Sequence, residues 1–256
     1  MSEDNKNINS GKIFTYAALI SLAILIVSLL WIQAVGLFGD DGKIVSNQDE
    51  LFTNAYGDLE LGYDPLVTMV PEELQSLQSK SNIFVSSLDP KIGAKDPKIV
   101  ITLFGNLENA ETADLYGILE SIGKKNQDDI IIVWKDFVVP ADPPSIGQRA
   151  AEAAQCMAQQ NEFWDFAKFI FLNQENLSED FLKEAAKNQQ IDYEEFTECF
   201  DKGVMRNLVE QSYYYGGSVE VTKSPTVFIN DQKIDSDLTK ENIENVVNNI
   251  LDSFEK

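Results

Sequence analysis

Residues 98–112 decide the fold: they read Lys98-Ile-Val-Ile-Thr-Leu-Phe104 and then Gly105-Asn-Leu-Glu-Asn-Ala-Glu-Thr112. The unbroken apolar run of the first half is typical of a strand that is covered on both faces. Residues 110–124 then repeat apolar side chains at a helical period. Residues 129–137 form a second buried apolar run. The order strand, helix, strand predicts a parallel pair of strands joined by a helical crossover.

Helical patterns follow this unit, and two short strands come after them. The predicted helices cover residues 145–160, 161–173, 178–190, 192–202, 204–215 and, at the end of the chain, 238–254. The predicted strands cover residues 226–230 and 232–234, with a further short strand at residues 82–86 ahead of the unit. We expect the helix that begins near residue 204 to close at Gly216-Gly217. The pattern predicts an α/β domain with a block of inserted helices.

Composition excludes several functions. The chain has 256 residues, of which 42 are acidic and 20 basic, giving a net charge of −22. So acidic a surface repels phosphate backbones, so a nucleic acid is not an expected partner. The chain has no histidine, which removes the commonest general base and the commonest ligand of transition metals. We therefore predict neither a metal site nor a cofactor.

An apolar segment near the start predicts a membrane anchor. Residues 13–37 carry no charge and are long enough for one transmembrane helix, with residues 1–12 as a short tail. Tyr16 and Trp31 lie toward its ends, where interfacial aromatic residues are favoured. A cleaved signal peptide is the alternative, although its apolar part is normally shorter. Lys6 and Lys12 precede the segment, which favours a cytoplasmic tail and an extracytoplasmic C-terminal part at the cell membrane.

Residues 38–80 form an acidic segment between the anchor and the α/β pattern. Residues 40–80 contain nine acidic and two basic residues, and they mix short apolar patches with turn-forming glycine and proline. One interpretation is a solvated stalk that holds the domain away from the membrane. The other is a segment that packs on the domain or on a partner.

Four stretches, taken together, resemble a known family. They are residues 89–104, 134–140, 150–164 and 224–230. In this order and at these spacings they are similar to the DsbA-like thiol–disulfide oxidoreductases. The resemblance implies a thioredoxin-like α/β fold with an inserted helical subdomain. The domain would cover residues 81–256, and the insertion would cover about 145–215.

The defining motif of that family is lost in this chain. The positions that match its C-x-x-C pair are Asn109, Ala110, Glu111 and Thr112. Thiol–disulfide exchange needs a thiolate, and no cysteine lies between residues 1 and 155. We therefore predict no catalytic residue at this turn, and a chain that is not an enzyme.

The resemblance also gives a meaning to Ser224-Pro225-Thr226. In the family the proline at this place is cis and faces the active-site turn, and the backbone beside it binds an extended peptide by strand addition. The alternative is a turn proline that only starts the strand at Thr226.

Cys156 and Cys199 are the two cysteines of the chain. Both lie in the predicted insertion, where similar family members often carry cysteines. The resemblance and an oxidising compartment imply a structural disulfide, and two buried free thiols are the alternative. Three neighbouring tyrosines, Tyr213 to Tyr215, cannot all face inward, so we expect at least one ring near the surface.

Three functions remain. The first is a non-catalytic scaffold that holds an extended peptide or an envelope protein. The second is an oxidoreductase that acts through Cys156 and Cys199. The third is a structural subunit of a membrane complex, with the acidic segment among its contacts.

Overall fold

Two fully buried parallel strands form the centre of the sheet. β2 (Ile99–Gly105) and β3 (Ile130–Asp136) pair in parallel along their whole length, as predicted. β1 (Lys91–Gly93) pairs antiparallel with β3, and β4 (Thr226–Ile229) pairs antiparallel with β2. β5 (Gln232–Ile234) pairs antiparallel with β4. The strand order is β1-β3-β2-β4-β5.

The computed structural model describes residues 72–234 and 238–254. The predicted tail, the predicted transmembrane helix at residues 13–37 and the acidic residues up to 71 lie outside the described residues. Within the described ranges, no helix has both the length and the apolar character to cross a membrane.

Two helices cover one face of the sheet. α2 (Ala110–Lys125) is the crossover between β2 and β3, and α8 (Lys240–Ser253) packs beside it. A Cβ atom on Gly123 of α2 would lie 3.0 Å from Ile132 Cδ1, which places this helix directly on β3. The buried apolar residues that the two helices contribute are Leu115, Tyr116, Leu119, Ile122, Ile243 and Val247.

Two other helices pack on the opposite face. α1 (Glu72–Gln78) buries Leu74 and Leu77 in one cluster with Val85 and three strand residues. α7 (Arg206–Ser218) approaches so closely that a Cβ atom on Gly216 would lie 2.7 Å from the ring of Phe137. For α1, which lies in the described part of the acidic segment, the interpretation that the segment packs on the domain is therefore confirmed.

Before α7 the helical insertion contains four α-helices and one short 3-10 helix (Gln174–Asn176). The α-helices are α3 (Ile146–Ala158), α4 (Phe163–Phe171), α5 (Glu179–Lys187) and α6 (Tyr193–Asp201). Ser145, Ser178 and Asp192 cap the first, third and fourth of them with side-chain oxygens, which satisfies backbone N–H groups that a helix start leaves unpaired. The α/β fold with inserted helices is confirmed.

A disulfide joins Cys156 of α3 to Cys199 of α6. The predicted disulfide is confirmed, and the alternative of two free thiols is wrong. Close to it, the fully buried carboxylate of Glu152 forms ion pairs with Arg149 and Arg206. Arg149 also lies over the ring of Phe200, at 3.8 Å from the centroid. Covalent, ionic and aromatic contacts therefore converge in the insertion.

The predicted strand at residues 82–86 is wrong. Ile83 and Val85 are buried, which explains the apolar pattern. Their segment forms no ladder, because its N–H groups bond to side chains instead. Phe84 N–H donates to Tyr215 Oη at 2.6 Å, and Ser86 N–H donates to Asp89 Oδ2 at 2.6 Å.

The predicted end of α7 at Gly216-Gly217 is also wrong, since the helix continues to Ser218. Gly216 serves the close approach to Phe137 instead of terminating the helix. The expectation for the three tyrosines is confirmed, because Tyr214 is 60% exposed.

Candidate functional site

The turn between β2 and α2 is shaped by the residues at its two ends. A Cβ atom on Gly105 would lie 2.4 Å from the Trp134 ring and 2.8 Å from Thr112 Cγ2, so a larger residue would push the strand end away from both. Asn109 caps α2, because its Oδ1 accepts the N–H of Thr112 at 3.0 Å. Glu111 lies in the first turn, where its negative charge suits the helix dipole.

The proline loop lies against this turn. The Ser224–Pro225 peptide bond is cis, as predicted. Thr112 Oγ1 and Ser224 Oγ are hydrogen-bonded at 3.0 Å, and Asn109 Nδ2 donates to the carbonyl oxygen of Ser224 at 3.4 Å. We call these three residues, Asn109, Thr112 and Ser224, the turn–loop contact.

The remaining predicted site residues lie beside the turn–loop contact. Ala110 and Glu111 are exposed at the start of α2. Thr226 is buried and its Oγ1 donates to the carbonyl oxygen of Lys223 at 2.7 Å, which holds the loop in shape. Sequence reasoning located these positions, but it missed the cap formed by Asn109, although asparagine is among the preferred N-cap residues.

The turn–loop contact contains hydroxyl and amide groups only. Cys156 and Cys199 are bonded to each other, and the chain has no third cysteine. The two are 2% and 7% exposed. Exchange requires that an incoming thiolate reaches a sulfur atom, so a bond so deeply buried is a poor partner for exchange.

A buried carboxylate lies next to the turn, at the end of β3. Asp136 pairs in register with Gly105 of β2. Its Oδ1 accepts Trp134 Nε1–H at 2.7 Å, and its Oδ2 accepts Gln155 Nε2–H at 2.5 Å. Burial raises the pKa of Asp136 to about 6 from an ordinary value of 3.8, although the two donors oppose the shift. Sequence reasoning missed this group, and its only signal was an acid inside an apolar strand.

A second buried acid forms an ion pair on the other face of the sheet. Lys135 Nζ lies 2.6 Å from Asp89 Oδ2, and both side chains are almost fully buried. Lys135 also lies 5.1 Å from the centroid of the Tyr215 ring. Burial raises the pKa of Tyr215 to about 12, so this phenol stays protonated and the group is structural.

The helical insertion supports the turn at two points. Gln174 Nε2 donates to the carbonyl oxygen of Leu107 at 2.8 Å. A Cβ atom on Gly147 would lie 2.5 Å from Glu108 Oε2, so the carboxylate lies against the first turn of α3. The insertion therefore fixes the backbone from which Asn109 projects.

A cavity of about 180 Å³ borders the proline loop. Pro225 and Thr226 line it together with Thr222, Lys223 and Ile234. Small-molecule sites measure about 300–1,000 Å³. The cavity is therefore better matched to one side chain of a bound polypeptide than to a whole small ligand.

Among the described residues, no group of three or more aspartate, glutamate or cysteine side chains is placed to hold a metal ion. The candidate site in this part of the chain consists of the turn–loop contact, the cis-proline backbone and the adjoining cavity.

Comparison with known proteins places this geometry in a family. A family model described as thioredoxin matches residues 86–249. The Na(+)/H(+) antiporter NhaA 1 of Mycolicibacterium vanbaalenii is 23% identical over 141 residues, which are 54% of this chain and 22% of the antiporter. The chain thus spans about a fifth of the length of the curated relatives it matches.

Two solved structures share the fold. BdbD from Bacillus subtilis, in its oxidised form, superposes with a TM-score of 0.59 at 20% identity, over 64% of this chain and 94% of BdbD. The thiol–disulfide exchange protein α-DsbA2 from Wolbachia pipientis superposes with a TM-score of 0.56 at 14% identity, over 82% of this chain and 99% of that protein. The predicted α/β fold class is confirmed.

Proposed function

Because the chain belongs to the thioredoxin family and has no C-x-x-C pair, we propose that it is a DsbA-like domain that binds an extended peptide without catalysing thiol–disulfide exchange. The partner would be a peptide or a segment of an envelope protein. One observation carries the proposal: the cis-proline loop and the start of α2 contact each other through Asn109, Thr112 and Ser224. By the resemblance, Asn109 and Thr112 stand at the positions of the family's two cysteines.

Backbone groups beside the proline support strand addition. Ser224 is partly exposed, and its N–H donates to no backbone or side-chain acceptor among the described residues. An extended peptide that lies alongside could offer a carbonyl oxygen to this N–H, as in other complexes formed by strand addition. The cavity between Thr222, Pro225 and Ile234 would receive one side chain of the peptide.

The domain would act outside the cytoplasm, held at the membrane by residues 13–37. The uncharged length of that segment supports an anchor. The Cys156–Cys199 bond supports an oxidising compartment, since disulfides persist there and are rare in the cytosol. Proteolysis of intact spheroplasts tests this topology: external protease should digest the domain, and a protected domain would contradict it.

Site-specific crosslinking tests peptide binding. A photoreactive residue in place of Ala110 stands at the exposed start of α2, and the matched control is the same residue in place of exposed Lys187 at the end of α5. With purified protein and a synthetic extended peptide, we expect capture at position 110 and background at position 187. Equal yields at the two positions would contradict the proposal.

A structural subunit is the alternative that the contacts of the site also allow. Asn109, Thr112 and Ser224 already satisfy one another, which is what a contact kept only for packing would do. In cells, crosslinks confined to residues 40–80 would favour this role, because the proline loop would then contact no partner. The burial of Cys156 and Cys199 opposes the remaining alternative, an enzyme that acts through these two residues.

A further inference from the structure

We propose that Asn109 makes the site selective for extended peptides that place a proline opposite Ser224. The inference rests on the proposed function, because it concerns the same strand-addition surface. It assigns a specificity role to a residue at a position where the family carries a sulfur.

The orientation of the Asn109 amide is fixed by the helix that it caps. Its Oδ1 accepts the N–H of Thr112 at 3.0 Å, and only an oxygen can accept this bond. The NH₂ group must therefore point the other way, where Nδ2 donates to the Ser224 carbonyl oxygen at 3.4 Å. Asn109 thus donates to the carbonyl oxygen of Ser224 and leaves the backbone N–H of Ser224 open.

A peptide residue directly opposite Ser224 would normally exchange two hydrogen bonds with it. Its carbonyl oxygen would accept the Ser224 N–H, and its own N–H would donate to the Ser224 carbonyl oxygen. Asn109 already supplies a donor to that oxygen. An ordinary residue at this place must therefore share the Ser224 carbonyl oxygen with Asn109, which weakens its hydrogen bond when the peptide excludes water.

Proline removes this conflict. It has no backbone N–H and keeps its carbonyl oxygen, so it can make the one bond that Ser224 still offers. Its fixed φ angle also favours an extended peptide before binding. The side chain of Asn109 thus takes the place of one peptide N–H, and the matching ligand is a peptide that lacks that N–H.

The size of the effect follows from one hydrogen bond between neutral groups. The hydrogen bond from Asn109 is long for its type, so a peptide N–H can still approach the same oxygen. Its own hydrogen bond is then weakened by the Asn109 amide. One recovered hydrogen bond corresponds to an affinity change of about two- to tenfold. Preference for proline should fall by this factor when the side-chain donor is removed.

Two substitutions remove the donor and keep the cap. Serine and aspartate are both good N-cap residues, so Asn109→Ser and Asn109→Asp should keep α2 capped and lower the thermal midpoint only by the loss of the long hydrogen bond to Ser224. Neither carries an amide N–H. Asn109→Ala, which also loses the cap, serves as the control that separates destabilisation of α2 from a change in selectivity.

The test measures, by fluorescence anisotropy, how tightly the wild type and the three variants each bind two peptides. Two labelled 12-residue peptides of serine, threonine and valine differ at one central position, alanine or proline, and crosslinking from residue 110 identifies the register. We expect the wild type to bind the proline peptide more tightly. We expect Asn109→Ser and Asn109→Asp to raise the affinity for the alanine peptide by about two- to tenfold. The affinity for the proline peptide should stay within twofold of the wild-type value.

Two outcomes would overturn the inference while the proposed function stands. The variants could bind the alanine peptide no more tightly than the wild type does, or their affinity for both peptides could rise equally. The first would mean that the Ser224 carbonyl oxygen accepts both donors at once. Binding of neither peptide by the wild type or by any variant would instead contradict the proposed function itself.

Discussion

The turn–loop contact and the helical insertion are held together by different kinds of interaction. The contact consists of hydrogen bonds between neutral groups: one joins two side-chain hydroxyls at 3.0 Å, and the other joins a side-chain amide to a backbone carbonyl oxygen at 3.4 Å. The insertion contains a disulfide, a fully buried carboxylate with two arginine partners and an arginine over an aromatic ring. Weak neutral contacts can yield to a ligand, whereas the insertion resists deformation.

This difference shows where the chain uses sulfur. Both cysteines lie in the insertion, where they join α3 to α6, and none lies at the turn, where exchange chemistry would need one. Gln174 and Gly147 connect the rigid insertion to the turn backbone. In the proposed function the insertion would act as the support, and the turn–loop contact would act as the surface that adjusts to a peptide.

The largest expected effect is on the insertion. Glu152→Gln removes the negative charge shared by Arg149 and Arg206. Among the described residues, the nearly buried Arg149 then keeps the half-exposed Glu179 as its one ion-pair partner. Loss of one partner of a buried ion pair costs about 3–5 kcal/mol. Urea denaturation should show this drop in the free energy of unfolding. Glu179→Gln is the control, and a drop as large as that of Glu152→Gln would contradict the account.

The next effect concerns the disulfide. Cys156→Ser with Cys199→Ser should lower the free energy of unfolding by about 2–4 kcal/mol. At temperatures where the variant is folded, peptide crosslinking from residue 110 should keep its wild-type yield, because the cysteines stabilise the support and take no part in binding. A selective loss of crosslinking in the folded variant would show that the two regions are not separable.

A third effect lies between the two regions, at Asp136. Its carboxyl titrates near 3.8 when unfolded and at about 6 when folded. Between these values the folded state keeps a proton that the unfolded state has lost, so the free energy of unfolding should fall as pH rises from about 4 to about 6. The shift corresponds to about 3 kcal/mol. Below pH 4 the contribution is complete, and above pH 6 it is lost.

Asp136→Asn tests this dependence, because asparagine does not ionise and Gln155 can turn its amide to face it. The fall between pH 4 and 6 should disappear in a series of urea denaturations. Asp128→Asn, an exposed control on the loop before β3, should keep the fall. An unchanged profile in Asp136→Asn would assign the pH dependence to other groups.

The smallest expected effect is at the turn–loop contact. Thr112→Val and Ser224→Ala each remove one hydroxyl of the 3.0 Å pair, and each should cost about 1 kcal/mol. In the double variant the two losses should add less than fully, since both substitutions remove the same hydrogen bond and only Thr112→Val also removes the acceptor of the Asn106 N–H. Fully additive losses would mean that the hydroxyls do not interact.

The strands and helices were largely predictable because their patterns are local. Continuous apolar runs predict β2 and β3, and Asn109 and Thr112 set the start of α2 within four residues. The segment around Ile83 was misassigned for the opposite reason. Its N–H groups bond to Tyr215 and other side chains, of which Tyr215 is 131 residues away, and no local pattern records such partners.

The site was predictable in position and not in chemistry. The resemblance located Asn109, Thr112 and Pro225, and the cis bond followed from it. The hydrogen bond between Thr112 and Ser224 spans 112 residues, and the raised pKa of Asp136 depends on burial by elements that are distant in sequence. Both need three-dimensional packing, which the order of residues alone does not specify.

The most direct test of the central claim is thiol oxidation measured on the wild type and on Asn109→Cys with Thr112→Cys. A dithiol substrate would be oxidised as the new disulfide at the turn is reduced, with glutathione disulfide to regenerate it. We expect an inert wild type and an active double variant, because the architecture persists and only the sulfur is missing. Turnover by the wild type that disappears in Cys156→Ser would contradict the account.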